Sequence, residues 1–133
     1  MGAEEWQYFV KYQPDIEKAL RDAQEHVFKY GDYRGEELDL GSLEELRQFL
    51  NGESTTSILD IENGVSAKRD FSTVAPLSEE ELSEHFGTKT PSHQDCYENQ
   101  TLWHLLERGQ SVYVIVYEGG EPSEIFFTGK TFD

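Results

Sequence analysis

An α+β architecture, with a mainly antiparallel sheet that ends in a C-terminal hairpin and packs against three to four helices, is expected for this chain of 133 residues. Three observations carry that expectation. The run Val112-Tyr113-Val114-Ile115-Val116-Tyr117 is apolar on both faces, as a central strand is. Gly119-Gly120-Glu121-Pro122 then turns the chain into Ile125-Phe126-Phe127, an equally apolar run that makes the pair a hairpin. Elsewhere, apolar residues recur at helical spacing behind recognisable start signals, so helices interleave with strands.

The elements follow in order. Trp6, Tyr8, Val10 and Tyr12 alternate within an aromatic and β-branched stretch, which reads as a strand over residues 6–12. Pro14 sits where a first helical turn tolerates it, and Ile16, Leu20, Ala23, Val27 and Tyr30 continue at helical spacing to a stop at Gly31. Residues 31–41 read as a polar loop. Ser42 with Glu45 forms a capping box for a short helix whose apolar face is Leu43, Leu46, Phe49 and Leu50, ended by Asn51-Gly52. Thr55 to Ile61 reads as a strand, with Asn63-Gly64 as its hairpin turn and residues 66–74 returning as the partner. A carboxylate within so apolar a run must point to solvent or find a partner, and the plain reading makes Asp60 an outward-facing residue of an alternating strand. Ser78 with Glu81 is a second capping box, opening a helix through Leu82 and Phe86 to Gly87. Pro91-Ser92 begins a further helical segment, and residues 101–108 continue as a helix to Gly109. No repeat or linker divides the chain, so residues 1–133 are read as one globular domain.

Charge is the strongest functional signal. Twenty-seven acids against 11 bases leave a formal net charge of −16. Both halves are acidic, with 15 acids and 6 bases in residues 1–66 and 12 and 5 in residues 67–133. The field therefore belongs to the whole chain and not to a detachable tail. An aromatic content of 13% also separates this chain from aromatic-poor disordered acidic tails. A field of this sign repels nucleic acid and anionic membrane and attracts basic protein surfaces. No apolar run reaches the roughly 18 residues of a spanning helix. The segment Met1–Trp6 lacks the basic and apolar regions of an export signal, and a single cysteine suits a reducing compartment, so a cytoplasmic protein is expected.

The acids gather in two places. Glu36, Glu37, Asp39, Glu44 and Glu45 lie within ten residues that hold no base. Glu79, Glu80, Glu81 and Glu84 form the second group. Helix N-termini explain part of both, because carboxylates complement the positive end of the helix dipole. The functional reading is a docking surface for Lys and Arg on a partner.

Other chemistry is weaker. His93, Asp95, Cys96 and His104 could make a thiolate–imidazole pair or a metal site, but acidic neighbours raise a thiol pKa, and the plain reading is a half-buried Cys on a polar helix. Asp32 to Asp39 lacks the alternate oxygen ligands of a calcium loop. Neither a metal site nor a cofactor is expected, and no catalytic residue is assigned.

The pieces Ser57-Ile58-Leu59-Asp60-Ile61, Pro122 to Gly129 and Tyr12-Gln13-Pro14-Asp15-Ile16 resemble an uncharacterised set of small acidic bacterial proteins. That resemblance implies no activity and no site. Phe49-Leu50-Asn51-Gly52, after an amphipathic helix, is similar to the helix-to-Asn-Gly junction of SUKH-type immunity proteins, although the Leu-Pro segment of that family is absent upstream. The likeness implies an acidic α+β domain that neutralises a toxin. The leading expectation is a non-enzymatic acidic binding protein, of the immunity or inhibitor kind, docking on a basic toxin or nuclease. One alternative is a small hydrolase or ligand-binding domain with an aromatic-lined pocket of Trp6, Tyr8, Trp103 and Tyr113. Another is a DNA mimic, with carboxylates spaced like duplex phosphates along one elongated face.

Overall fold

The computed structural model describes residues 3–31 and 33–132; Met1, Gly2, Asp133 and Asp32, one residue of the expected 31–41 loop, lie outside them. The chain is α+β, with strands β1 (Glu5–Lys11), β2 (Val74–Pro76), β3 (Ser111–Glu118) and β4 (Glu121–Lys130). Its described helices are α1 (Ile16–Tyr30), α2 (Leu43–Leu50), α3 (Glu79–Phe86), α4 (His93–Glu98) and α5 (Leu102–Leu105). One four-stranded sheet runs β1-β4-β3-β2, so the C-terminal hairpin occupies its centre. Both long pairings are antiparallel, and only the short β2–β3 pairing is parallel.

Alternation along the strands sends side chains to two different layers. Trp6, Ile125 and Phe127 face one side and pack with Ala19, Leu20, Ala23 and Val27 of α1 and with Leu46 and Leu50 of α2. Val112, Val114, Val116 and Phe126 face the other side and pack with Leu77, Cys96, Leu102 and Leu106 around α3 to α5. The sheet is thus covered on both faces. That arrangement explains why β3 is apolar throughout.

Caps set the helix starts. Asp15 accepts the Lys18 amide at 3.0 Å and begins α1, one residue after Pro14. Ser78 and Glu81 form the expected reciprocal box at α3. At α2 the Ser42 hydroxyl accepts the Glu45 amide, but Glu45 reaches back one residue further, to the Gly41 amide at 3.1 Å. Ser92 and Asp95 form a second reciprocal box at α4.

Three expectations need correction. The run Thr55 to Ile61 is not a strand; residues Ile58–Asp60 form a 3-10 turn, and Asp60 is buried instead of outward-facing. Asn63-Gly64 does not close a hairpin, because Val65 meets Val74 in an isolated parallel bridge and β2 pairs with β3. The expected helix over 101–108 shrinks to α5. The Asn99 side chain accepts the Thr101 and Leu102 amides, separating α4 from α5 and giving five helices instead of three to four.

Candidate acidic docking surfaces

The first acidic group is built on tight backbone turns. Glu36–Leu38 is a 3-10 turn bounded by Gly35 and Asp39, both in the left-handed region at φ 95° and 50°. Gly35 lies against Leu46 of α2, where an added Cβ would come within 2.8 Å of the Leu46 side chain. That close approach brings the turn and the first part of α2 to one region of the surface. Glu36, Glu37, Asp39, Glu44 and Glu45 are all exposed there. The Tyr33 hydroxyl donates to the Phe28 carbonyl at 2.8 Å; burial first, then the charges of Glu36 and Asp39, push its pKa up. Glu37, Asp39 and Glu44 make no ion pair among the described residues.

Apolar surface accompanies these carboxylates. Leu38, in the turn itself, is 43% exposed and Phe49 of α2 is 59% exposed. Phe49 was expected on the buried face of α2. Leu46 and Leu50 are buried there, four residues apart, while Phe49 falls to the edge of their stripe and faces outward.

The second group differs. Glu79 pairs with Lys89 at 2.8 Å, and Glu81 pairs with Arg69 at 3.0 Å while capping Ser78. The Lys89 ammonium holds the Glu79 carboxyl below its usual range. Burial raises Glu81, but the Ser78 amide and the Arg69 guanidinium outweigh it and leave the carboxyl lowered. Glu80 and Glu84 are exposed. Because α2 and α3 cover opposite faces of the sheet, the fold does not bring the two groups together. Glu37, Asp39 and Glu44 therefore carry no ion pair among the described residues, whereas Glu79 and Glu81 of the second group are paired.

The residues weighed for catalysis are arranged for packing. Cys96 is fully buried rather than half-buried, and burial, then the charges of Asp95 and Glu124, push its thiol up to about 12. His93 turns away to Glu124, with Nδ1 at 2.8 Å from Oε1, and stacks on Phe9 with centroids 3.9 Å apart. No group of three His, Cys, Asp or Glu that could hold a metal ion occurs among the described residues. The aromatic residues proposed as pocket walls separate. Trp6, Tyr8 and Tyr113 belong to the α1–α2 layer, whereas Trp103 on α5 lies under the Lys130 ammonium at 3.9 Å. A cavity of about 630 Å³ opens instead beside β2 and is lined by Lys68, Arg69, Ser78, Glu81, Glu107 and Gln110. A second of about 370 Å³ lies between β1 and α1.

No family model, curated protein or solved structure matches this chain.

Sequence reading missed two features of these surfaces. The exposed Leu38 and Phe49 were hidden, because an apolar residue beside a helix stripe looks the same whether it faces inward or outward. The neutralisation of Glu79 and Glu81 was also hidden, since Lys89 and Arg69 reach them across turns. Among the described residues, no helix is long and apolar enough to cross a membrane.

Proposed function

We propose that this protein is a non-enzymatic binding protein that docks the carboxylates of residues 36–45 onto a basic protein partner, in the manner of an immunity or inhibitor protein. The observation that carries this reading is the exposure of Glu37, Asp39 and Glu44, without an ion pair among the described residues, beside the exposed side chains of Leu38 and Phe49. Like charges held close on a surface repel one another, so a partner's Lys and Arg side chains would relieve a cost already present in the free protein. Leu38 and Phe49 would supply the apolar contact that charge alone does not, since the core of an interface is depleted in charge and enriched in aromatic side chains. The whole-chain field would speed encounter with a basic toxin or nuclease in the cytoplasm and disfavour nucleic acid.

The resemblance of residues 49–52 to the SUKH-type junction supports the same reading. There Asn51 is left-handed, its amide donates to the Arg47 carbonyl at 3.0 Å, and Gly52 follows at φ 91°. The buried Cys96 thiol and the separated aromatic residues favour binding over hydrolysis. The placement of the acidic groups on opposite layers weighs against a DNA mimic, which needs one row of carboxylates.

The test is capture from the native host at low salt on immobilised protein. A strongly basic protein should be retained, released by salt, and lost when Glu37→Gln, Asp39→Asn and Glu44→Gln are combined. Asn is chosen at position 39 because it tolerates the left-handed backbone there. Equal retention by the variant, or retention of no basic protein, would overturn the reading.

A further inference from the structure

The two edges of the sheet are unlike. The β2 edge is three residues long, ends at Pro76, and is partly covered by Val65. Short length and proline are ordinary ways to stop a strand from recruiting another. The β1 edge runs for seven residues, Glu-Trp-Gln-Tyr-Phe-Val-Lys, with no proline and no bulge.

The register shows which backbone groups line that edge. Thr131 donates to the Glu4 carbonyl at 2.9 Å and Tyr12 to the Ser123 carbonyl at 3.1 Å. In an antiparallel ladder hydrogen-bonded pairs alternate, so Trp6, Tyr8 and Val10 exchange bonds with Gly129, Phe127 and Ile125. The amides and carbonyls of Glu5, Gln7, Phe9 and Lys11 therefore point away from β4, with no partner strand among the described residues.

Those four residues are complementary to themselves. If two β1 strands run antiparallel about a two-fold axis at Tyr8, Glu5 falls opposite Lys11 and Gln7 opposite Phe9. Every outward residue then faces another outward residue, as hydrogen-bonded pairing requires. Registers shifted by two residues lose the match, leaving Glu5 opposite Phe9 or Lys11 opposite Gln7. Glu5 and Lys11 are both exposed, and neither makes an ion pair among the described residues.

We propose that β1 is a dimerisation strand, pairing with β1 of a second copy so that Glu5 faces Lys11 twice and the two sheets become one of eight strands. The cavity between β1 and α1, walled by Tyr8, Val10, Ala23 and Val27, lies along this edge and receives apolar side chains of the incoming strand. Each copy carries −16, so long-range repulsion opposes association at low salt. Near 0.15 M salt that repulsion is screened beyond about 8 Å, whereas directly opposed side chains still interact.

Sedimentation equilibrium of the full chain tests the proposal at about 0.15 M salt, the ionic strength at which the long-range field is screened. A dimer is expected. Lys11→Glu should weaken it about tenfold or more, because two attractive cross-strand pairs become two repulsive ones. Combining Glu5→Lys with Lys11→Glu should restore it, since the swap recreates both pairs. Amide exchange at Gln7 and Phe9 should slow as protein concentration rises. A chain that stays monomeric, with those amides exchanging freely at every concentration, would overturn the proposal. So would a dimer indifferent to Lys11→Glu, or one that the charge swap fails to restore.

Discussion

The amide and the hydroxyl of Thr55 both donate to one oxygen of the Asp60 carboxylate, at 2.6 and 2.7 Å. The Ser54 hydroxyl donates to the other oxygen, and the Ser72 hydroxyl donates to the Asp60 carbonyl at 2.6 Å. Asp60, Ser54, Thr55 and Ser72 are all buried. A carboxylate removed from water needs several donors, and this segment folds around one to supply them. The 3-10 turn places the carboxylate back over residues 54 and 55, while Ser72 ties the following loop to the same residue.

Asp60→Ala is therefore expected to cost about 3 kcal/mol or more, because it strands buried donors as well as removing charge-assisted bonds. Asp60→Asn should cost less, since its amide retains one acceptor. Urea unfolding of the three proteins measures both differences. An Ala variant within about 0.5 kcal/mol of wild type would show that the network adds nothing net.

Gly129 is required by its neighbours and not by its backbone. An added Cβ would fall onto Trp6 Cζ2 and within 2.6 Å of Ser111 Oγ. Gly129→Ala should destabilise by about 1–3 kcal/mol through overpacking. Trp6→Phe removes the indole atoms that clash and, since Nε1 has no hydrogen-bond partner among the described residues, loses no bond. The double variant should thus be more stable than the sum of the single changes predicts. Thermal melts of the four proteins complete the cycle.

Alkaline pH should unfold the protein partly through Cys96. The folded thiol ionises at about 12, well above the ordinary value of 9.0, so the folded state holds its proton more tightly than the unfolded chain. Its contribution is complete below pH 9 and declines from there as pH rises towards 12, at about 1.4 kcal/mol per pH unit. Cys96→Ala should lower stability at pH 7 by leaving a small cavity, but flatten the decline between pH 9 and 11. An unchanged slope would assign the alkaline loss to other groups, such as Tyr33 and Tyr113, both also raised.

Self-repulsion predicts an unusual response to salt. Raising sodium chloride from about 10 mM to about 150 mM should increase the melting temperature, because screening relieves repulsion among the exposed carboxylates. Combining Glu37→Gln, Asp39→Asn and Glu44→Gln should raise stability at low salt and reduce that dependence. A variant that is more stable yet binds the partner less well would identify the 36–45 surface as one retained for binding at a cost in stability.

Local signals read most of the secondary structure correctly. The helical spacing from Ile16 to Tyr30, the Ser78–Glu81 box and the two-faced apolar run of β3 all have the form expected, because each depends on neighbours within a few residues. The charge excess was equally legible. Residues 55–61 were not. Their β-branched content suits a strand, but Asp60 could find its donors only by turning inward, and the Ser72 that completes the network lies 12 residues away.

The sequence by itself determined an acidic α+β chain with a C-terminal hairpin, since strand and helix periods and capping residues are local properties. Only the tertiary structure decided that α2 and α3 cover opposite faces, and that Glu79 and Glu81 are ion-paired while Glu37, Asp39 and Glu44 make no ion pair among the described residues. It also decided which edge strand stays open. Both outcomes depend on which distant segments pack together, and apolar burial drives that packing without direction, so the same local pattern is compatible with either side of a sheet.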